Sequence, residues 1–254
     1  MAHQTLFGFH AVGARLRVAA PSIHALYVDE QRRDARMQQL LQRASGAGVV
    51  PQPCSGERLT QLAGTSRHQG VVARAERLQL AQHLDQTLDA LAASAQPALL
   101  LVLDGVTDPH NLGACLRVAD AVGAHAVIAP KDHAVGVNAT VAKVASGAAD
   151  TVPYLMVTNL ARTLVQLRDE GIDVVGAADG ADTPYTQVNA TGPIAWVLGA
   201  EGKGLRHLTR QRCSQIAAIP MAGAVESLNV SVAAGVVMFE AARQRQLAKL
   251  VNLD

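Results

Sequence analysis

Two periodicities alternate along this chain. Short apolar runs of strand length give way to polar turns, then to stretches whose apolar residues recur three and four apart, as on one helix face. In the first part, residues 23–28 read as a strand and 33–44 as a helix ending near Gly46 and Gly48. Val49-Val50 opens a short strand interrupted by Pro51 and Pro53; residues 57–62 form a short helix and 70–74 a strand. This pattern predicts a small α/β unit over residues 1–75. Residues 76–97 join it to the rest: a polar stretch with leucines at 84, 88 and 91 at helical spacing, closed by Gln96-Pro97.

From residue 98 the alternation is regular. Residues 99–103 are continuously apolar, as in a parallel strand buried on both faces. Helices are predicted over 111–122, 139–145, 160–170, 205–211 and 229–247, and further strands over 126–129, 172–177, 194–198 and 216–219. Strand and helix in alternation imply a parallel sheet covered by helices on both faces, so residues 98–254 are expected to form one α/β domain.

Composition narrows the classes. The chain has 254 residues, enough for one large domain or two small ones, and only 3% are aromatic, so the core must be aliphatic. A net charge of +1 does not mark a nucleic-acid binder, but the balance is uneven. Residues 1–97 hold 10 basic against 7 acidic side chains, and residues 98–254 hold 12 against 14; a solvated surface accounts for this asymmetry more readily than an anionic partner docking on the N-terminal part, and both readings stay open. Cys54, Cys115 and Cys213 are widely spaced, with no zinc-like Cys/His pattern, so free thiols and no metal are expected. The start lacks the features of a signal peptide, and the longest apolar runs fall short of the ~20 residues of a spanning helix. A cytoplasmic protein with no membrane partner is the expectation.

Familiar nucleotide and hydrolase motifs are missing. Residues 176–180 are not G-x-G-x-x-G, the Gly202–Gly204 segment lacks the Ser/Thr of a P-loop, and no G-x-S-x-G elbow occurs. Three other polar segments stand between strand-like and helix-like runs: Asp108-Pro109-His110-Asn111-Leu112-Gly113 with Arg117 beyond it, Gly199-Ala200-Glu201-Gly202-Lys203-Gly204, and Ser227-Leu228-Asn229-Val230-Ser231. Asn111 is placed to cap a helix, and capping alone would account for it. Arg117 is either a surface residue or a fork aimed at a phosphate. Three glycines let backbone approach a ligand beside Glu201, although a tight turn with a solvated Glu reads equally well. Ser227 or Asn229 suits an N-cap, and Leu228 is an apolar residue able to cover a flat ligand such as an adenine.

Taken together, Asp104 through Arg117, Gly199 through Gly204, and Ile219-Pro220-Met221-Ala222-Gly223 leading to residues 227–233 resemble the three motifs of the SpoU family of RNA 2′-O-ribose methyltransferases, in the SPOUT superfamily. Gly8-Phe9-His10-Ala11-Val12, His68-Gln69-Gly70-Val71-Val72-Ala73 and residues 138–149 resemble the branch of that family acting on a guanosine in 23S rRNA. The resemblance implies a trefoil-knotted SPOUT domain at 98–254, S-adenosylmethionine as cofactor, a smaller RNA-binding domain at 1–75, and a homodimer with active sites at the subunit interface. It makes Asn111, Arg117, Glu201, Ser227 and Asn229 the candidate catalytic residues, with Asn111 and Glu201 orienting Arg117 and the ribose. Gly199, Ile219 and Leu228 would line the cofactor site, with Met221 nearby. Two residues depart from the family pattern, Lys203 and Glu226. The competing readings are a tRNA substrate within the same family, a non-catalytic RNA-binding or ribosome-assembly protein, and a dinucleotide oxidoreductase.

Overall fold

The computed structural model describes residues 3–76, 78, 80–94, 96–202 and 204–251. The chain divides into two compact units, Met1–Leu80 with Ser146–Thr151, and Ala81–Ala145 with Val152–Asp254.

The first unit contains β1 (His3–Phe7), α1 (Phe9–Val18), β2 (Ile23–Asp29), α2 (Ala35–Gly46), β3 (Pro51–Cys54), α3 (Gly56–Ala63) and β4 (Val71–Glu76). Its mixed sheet has the order β1-β4-β2-β3, with only β2 and β3 parallel. Val12 and Leu16 of α1 and Met37 and Leu40 of α2 are buried with Leu26, Val71 and Ala73 of the sheet. β1 and α1 carry no clear period and were not predicted. Val49-Val50 precedes β3 rather than opening it, and both prolines lie inside that strand. β3 is an edge strand, and residues two apart aim their backbone nitrogens to the same side. The two missing donors therefore fall on the unpaired edge, where they cost no ladder bond.

The second unit runs α4 (Leu84–Ala92), β5 (Leu99–Asp104), α5 (Pro109–Val122), β6 (Ala126–Pro130), α6 (Ala139–Ala145), β7 (Tyr154–Val157), α7 (Leu160–Asp169), β8 (Asp173–Ala177), β9 (Thr183–Pro184), β10 (Ile194–Gly199), α8 (His207–Arg212), β11 (Gln215–Ala218) and α9 (Val230–Val251). The sheet order is β7-β6-β5-β10-β8-β11-β9, and every pairing is parallel. This is the predicted α/β class with its smaller N-terminal α/β unit. Leu100 and Val102 pack toward α4 and α7, whose Leu84, Leu88, Leu160, Leu164 and Leu167 share their core cluster. Their neighbours Leu101 and Leu103 must point to the opposite face, where α5 packs with α6 and α9. Both faces are thus covered, which explains why β5 has no polar residue before Asp104.

Two features fix the helices that matter below. Gly113 of α5 lies so close to α6 that a Cβ there would stand 2.6 Å from Val144 Cβ and 3.0 Å from the Val141 carbonyl. Arg245 of α9 donates to the carbonyls of Ala190, Pro97, Ala98 and Gly192 at 2.7–2.9 Å, tying that helix to the start of β5 and the turn before β10. β7 and β9 were not predicted; β9 is only two residues long.

Candidate active site

The site follows from register. In the sheet Gly199 stands opposite Asp104 and Leu198 opposite Ala177, so the chain leaves β5, β8 and β10 at one edge. Ligands of open parallel sheets bind beyond these carboxyl ends.

The turn after β10 is wound tightly. Ala200 and Gly204 form an isolated bridge, with the Gly204 N–H donating to the Ala200 carbonyl at 2.9 Å. Gly202 and Gly204 have φ of 73° and 61°. A Cβ on Gly199 would overlap the backbone of Gly204 and Leu205. Lys203 lies outside the described residues.

This turn is pinned from below by a pair that sequence reasoning missed. Asp104 is buried, and its carboxylate accepts from the Arg206 backbone N–H at 2.9 Å and from Arg206 Nε at 2.5 Å. An acid closing a wholly apolar strand was the available signal, because a buried carboxylate requires a partner.

Helix α5 begins with Pro109 at its first turn and is capped by Asp108, which accepts the His110 N–H at 3.0 Å. That backbone bond is the main cause holding the Asp108 carboxyl below its ordinary range. Asn111 is therefore not the cap. It is buried inside the helix, and its Nδ2 donates to Glu201 Oε1 at 3.1 Å. Asn229 completes the group: its Nδ2 donates to Asn111 Oδ1 at 3.0 Å and also to Glu201 Oε1. The Asn229 Oδ1 accepts from Ser231 N–H at 2.9 Å and Ser231 Oγ at 2.6 Å, just ahead of α9. Asn229 thus serves the helix start and the cluster at once.

Three of the five candidate catalytic residues are therefore in contact. Arg117 is not with them. It is exposed, and among the described residues it has no hydrogen bond or ion pair. Six residues of helix separate it from Asn111 by about 9 Å along the axis and about 120° around it, so the expected orienting contact from Asn111 and Glu201 is not made within one chain. Ser227 is exposed on the wall of the neighbouring cavity.

That cavity has a volume of about 320 Å³ and gathers all four candidate cofactor residues, Gly199, Ile219, Met221 and Leu228. Ala177, Ala178 and Asp179, the turn after β8, complete its wall; they lie in the segment set aside for not matching a dinucleotide fingerprint. Glu201 and Glu226 line it as well. Small backbone-exposing residues, the aliphatic side chains of Leu198, Ile219, Leu228 and Val230, and three carboxylates suit S-adenosylmethionine: a flat apolar base, groups that hydrogen-bond to backbone, and a sulfonium and an ammonium that carboxylates attract. Burial pushes the Cys115 thiol up to about 12 and Cys213 up to about 11, so neither is held as a thiolate. Among the described residues no group of His, Cys, Asp and Glu is arranged to hold a metal.

Residues 98–239 match the SpoU rRNA methylase family, and residues 5–81 match a family described as RNA 2′-O ribose methyltransferase substrate binding. The chain is 62% identical to the 23S rRNA (guanosine-2′-O-)-methyltransferase RlmB of Ralstonia nicotianae, over 95% of this chain and 96% of that protein. It is 59% identical to the enzyme of the same name from Bordetella pertussis, over 96% and 98% of the two chains. Among solved structures it is similar to the SpoU methyltransferase AviRb from Streptomyces viridochromogenes in complex with AdoMet. That match has a TM-score of 0.63 and 25% identity, and covers 96% of this chain and 91% of that one.

Proposed function

Because the chain belongs to the SpoU rRNA methylase family, we propose that it transfers a methyl group from S-adenosylmethionine to the ribose 2′-oxygen of a guanosine in 23S rRNA. One observation carries the site assignment. Three segments distant in sequence bring Asn111, Glu201 and Asn229 into one hydrogen-bonded group, beside the cavity lined by Gly199, Ile219, Met221 and Leu228.

The bound cofactor supplies an electrophilic methyl on a sulfonium whose sulfur departs as a neutral thioether, so the leaving group needs no acid. The protein's task is then the alcohol, a weak nucleophile that must be aligned and must lose a proton. A guanidinium stays protonated in proteins, so Arg117 is assigned to holding an RNA phosphate and polarising the 2′-hydroxyl, with the proton leaving through phosphate or water. Glu201, fixed by two amide donors, and Asn111 orient the ribose. Ser227 and Asn229 hold the substrate and the turn over the cavity, with Leu228 covering the adenine.

The remaining assignments are part of the same proposal. Residues 1–75 bind the RNA, 98–254 form the trefoil-knotted catalytic domain, and the enzyme works in the cytoplasm as a homodimer. Among the described residues no helix is long and apolar enough to cross a membrane. The dimer reading is supported by α9, where Val232, Phe239, Leu247 and Leu250 are each about half exposed or more and fall on one helical stripe. A partner there would also give the solitary Arg117 a site to complete.

The deciding experiment supplies labelled S-adenosylmethionine with unmodified 23S rRNA, and with tRNA in parallel, and maps the mark. A single 2′-O-methylguanosine in 23S rRNA is the expected result. Transfer to tRNA alone overturns the substrate. Cofactor bound without transfer to either RNA points to an assembly-intermediate substrate or a missing partner, and failure to bind the cofactor favours the non-catalytic RNA-binding or assembly reading.

A further inference from the structure

The methyl-transfer assignment leaves unused two N-terminal motifs, Gly8-Phe9-His10 and His68-Gln69-Gly70, which meet in the first unit. The Gly8 N–H donates to the Val71 carbonyl at 2.9 Å, and a Cβ on Gly8 would lie 3.5 Å from Gln69 Oε1. Gly8, Gln69 and Gly70 all have positive φ, 82°, 55° and 79°. For Gln69 that is a strained conformation, costing on the order of 1 kcal/mol, and such strain gathers at functional positions. His68 maintains it. The ring is buried, its Nδ1 accepts the Gly70 N–H at 3.0 Å, and its Nε2 lies 3.1 Å from Thr60 Oγ1. The Gln69 carbonyl takes a 2.6 Å hydrogen bond from Arg32 Nη1. Its side chain is exposed, and its amide has no hydrogen bond among the described residues.

Beside this corner Phe9 carries two guanidinium groups, those of Arg32 and Arg36, each 4.7 Å from its ring centroid. Arg32 is neutralised by Asp34. Arg36 is not. The only polar partner of its exposed guanidinium among the described residues is His10 Nε2, at 2.9 Å. That nitrogen accepts only when it carries no proton, and among the described residues no carboxylate pairs with the Arg36 guanidinium. A stacked guanidinium has already lost much of its rotamer freedom, and its planar fork fits a phosphate. The missing group is an anion at the end of an aromatic platform, flanked by a free amide.

We propose that Arg36, held on Phe9 beside His10, binds a backbone phosphate of the substrate RNA, and that the Gln69 amide contacts the adjoining nucleotide. This rests on the RNA substrate proposed above and adds the face of the first unit that meets it.

The test is filter binding of the full-length protein to an unmodified 23S rRNA transcript across a salt series, with S-adenosylmethionine affinity and thermal melting measured alongside. Arg36→Gln is expected to weaken RNA binding about tenfold and to flatten the log–log salt slope by about 0.7–0.9, one phosphate contact. Cofactor affinity should not move. Arg36→Lys, which keeps the charge and loses the fork, is expected to bind less tightly with the wild-type slope. Wild-type affinity and slope in Arg36→Gln overturn the proposal. If Arg36→Gln melts early, the lysine variant decides: a slope lowered by one contact despite retained charge overturns it as well. A wild-type protein that binds cofactor but not the transcript instead removes the RNA substrate, and the proposal with it.

Discussion

Asn229 shows how one side chain carries two duties that sequence reading treats as rivals. Its oxygen takes the Ser231 N–H at the start of α9, while its amide nitrogen reaches Glu201 and Asn111. The duties separate by substitution. Asn229→Ser keeps a capping acceptor, so the melting temperature should stay near wild type, while methyl transfer falls about a hundredfold, the scale of one positioned donor. A variant that melts early yet turns over normally would reduce Asn229 to a cap. Asn111 was legible as a special polar residue, and of its two readings the capping one fails. The cap is Asp108, because Pro109 occupies the first helical position. For Arg117, the lysine variant is expected to lose activity without moving the pH–rate profile. Full activity with a shifted profile would identify Arg117 itself as the proton acceptor.

The turn after β10 depends on what is absent from Gly199 and on what lies beneath it. Gly199→Ala has no room against the backbone of Gly204 and Leu205. It is expected to abolish measurable cofactor binding by calorimetry, while the seven-stranded sheet keeps its far-ultraviolet signal. Asp104 and Arg206 offer a milder perturbation. Arg206→Ala strands a buried carboxylate and should cost on the order of 3 kcal/mol in denaturant unfolding, the low end for breaking such a pair because Arg206 is itself half exposed. Stability unchanged within error would mean that water already satisfies Asp104. Strands β5, β6 and β10 were readable because burial on both faces leaves an unbroken apolar run, and β8 and β11 because most of their residues are apolar although they are less deeply buried. β1 and β9 were not, since short edge strands need few apolar residues and owe their existence to a neighbour's free hydrogen-bonding edge; β7 was missed although all four of its residues are apolar, because so short a run carries no period.

For the whole molecule, the apolar stripe of α9 sets an expectation. Phe239→Asp should convert the proposed dimer to a monomer in sedimentation equilibrium and take methyl transfer down with it, while cofactor affinity holds within a few-fold; a fully active monomer would remove the proposed partner from the site. The alternation of strand and helix and the three polar segments were visible in the chain, because periodicity and costly polar groups are local properties of a sequence, whereas the division after Leu80, ahead of α4, was not. Which polar groups touch was not visible. Asn111, Glu201 and Asn229 become neighbours only when β10 lies beside β5 and α9 packs against α5. The meeting of Gly8 with Gln69 likewise waits on β1 pairing with β4. The contacts that make a site lie across the sheet order, and pairing partners are chosen by packing over the whole fold, a constraint that no window along the chain contains.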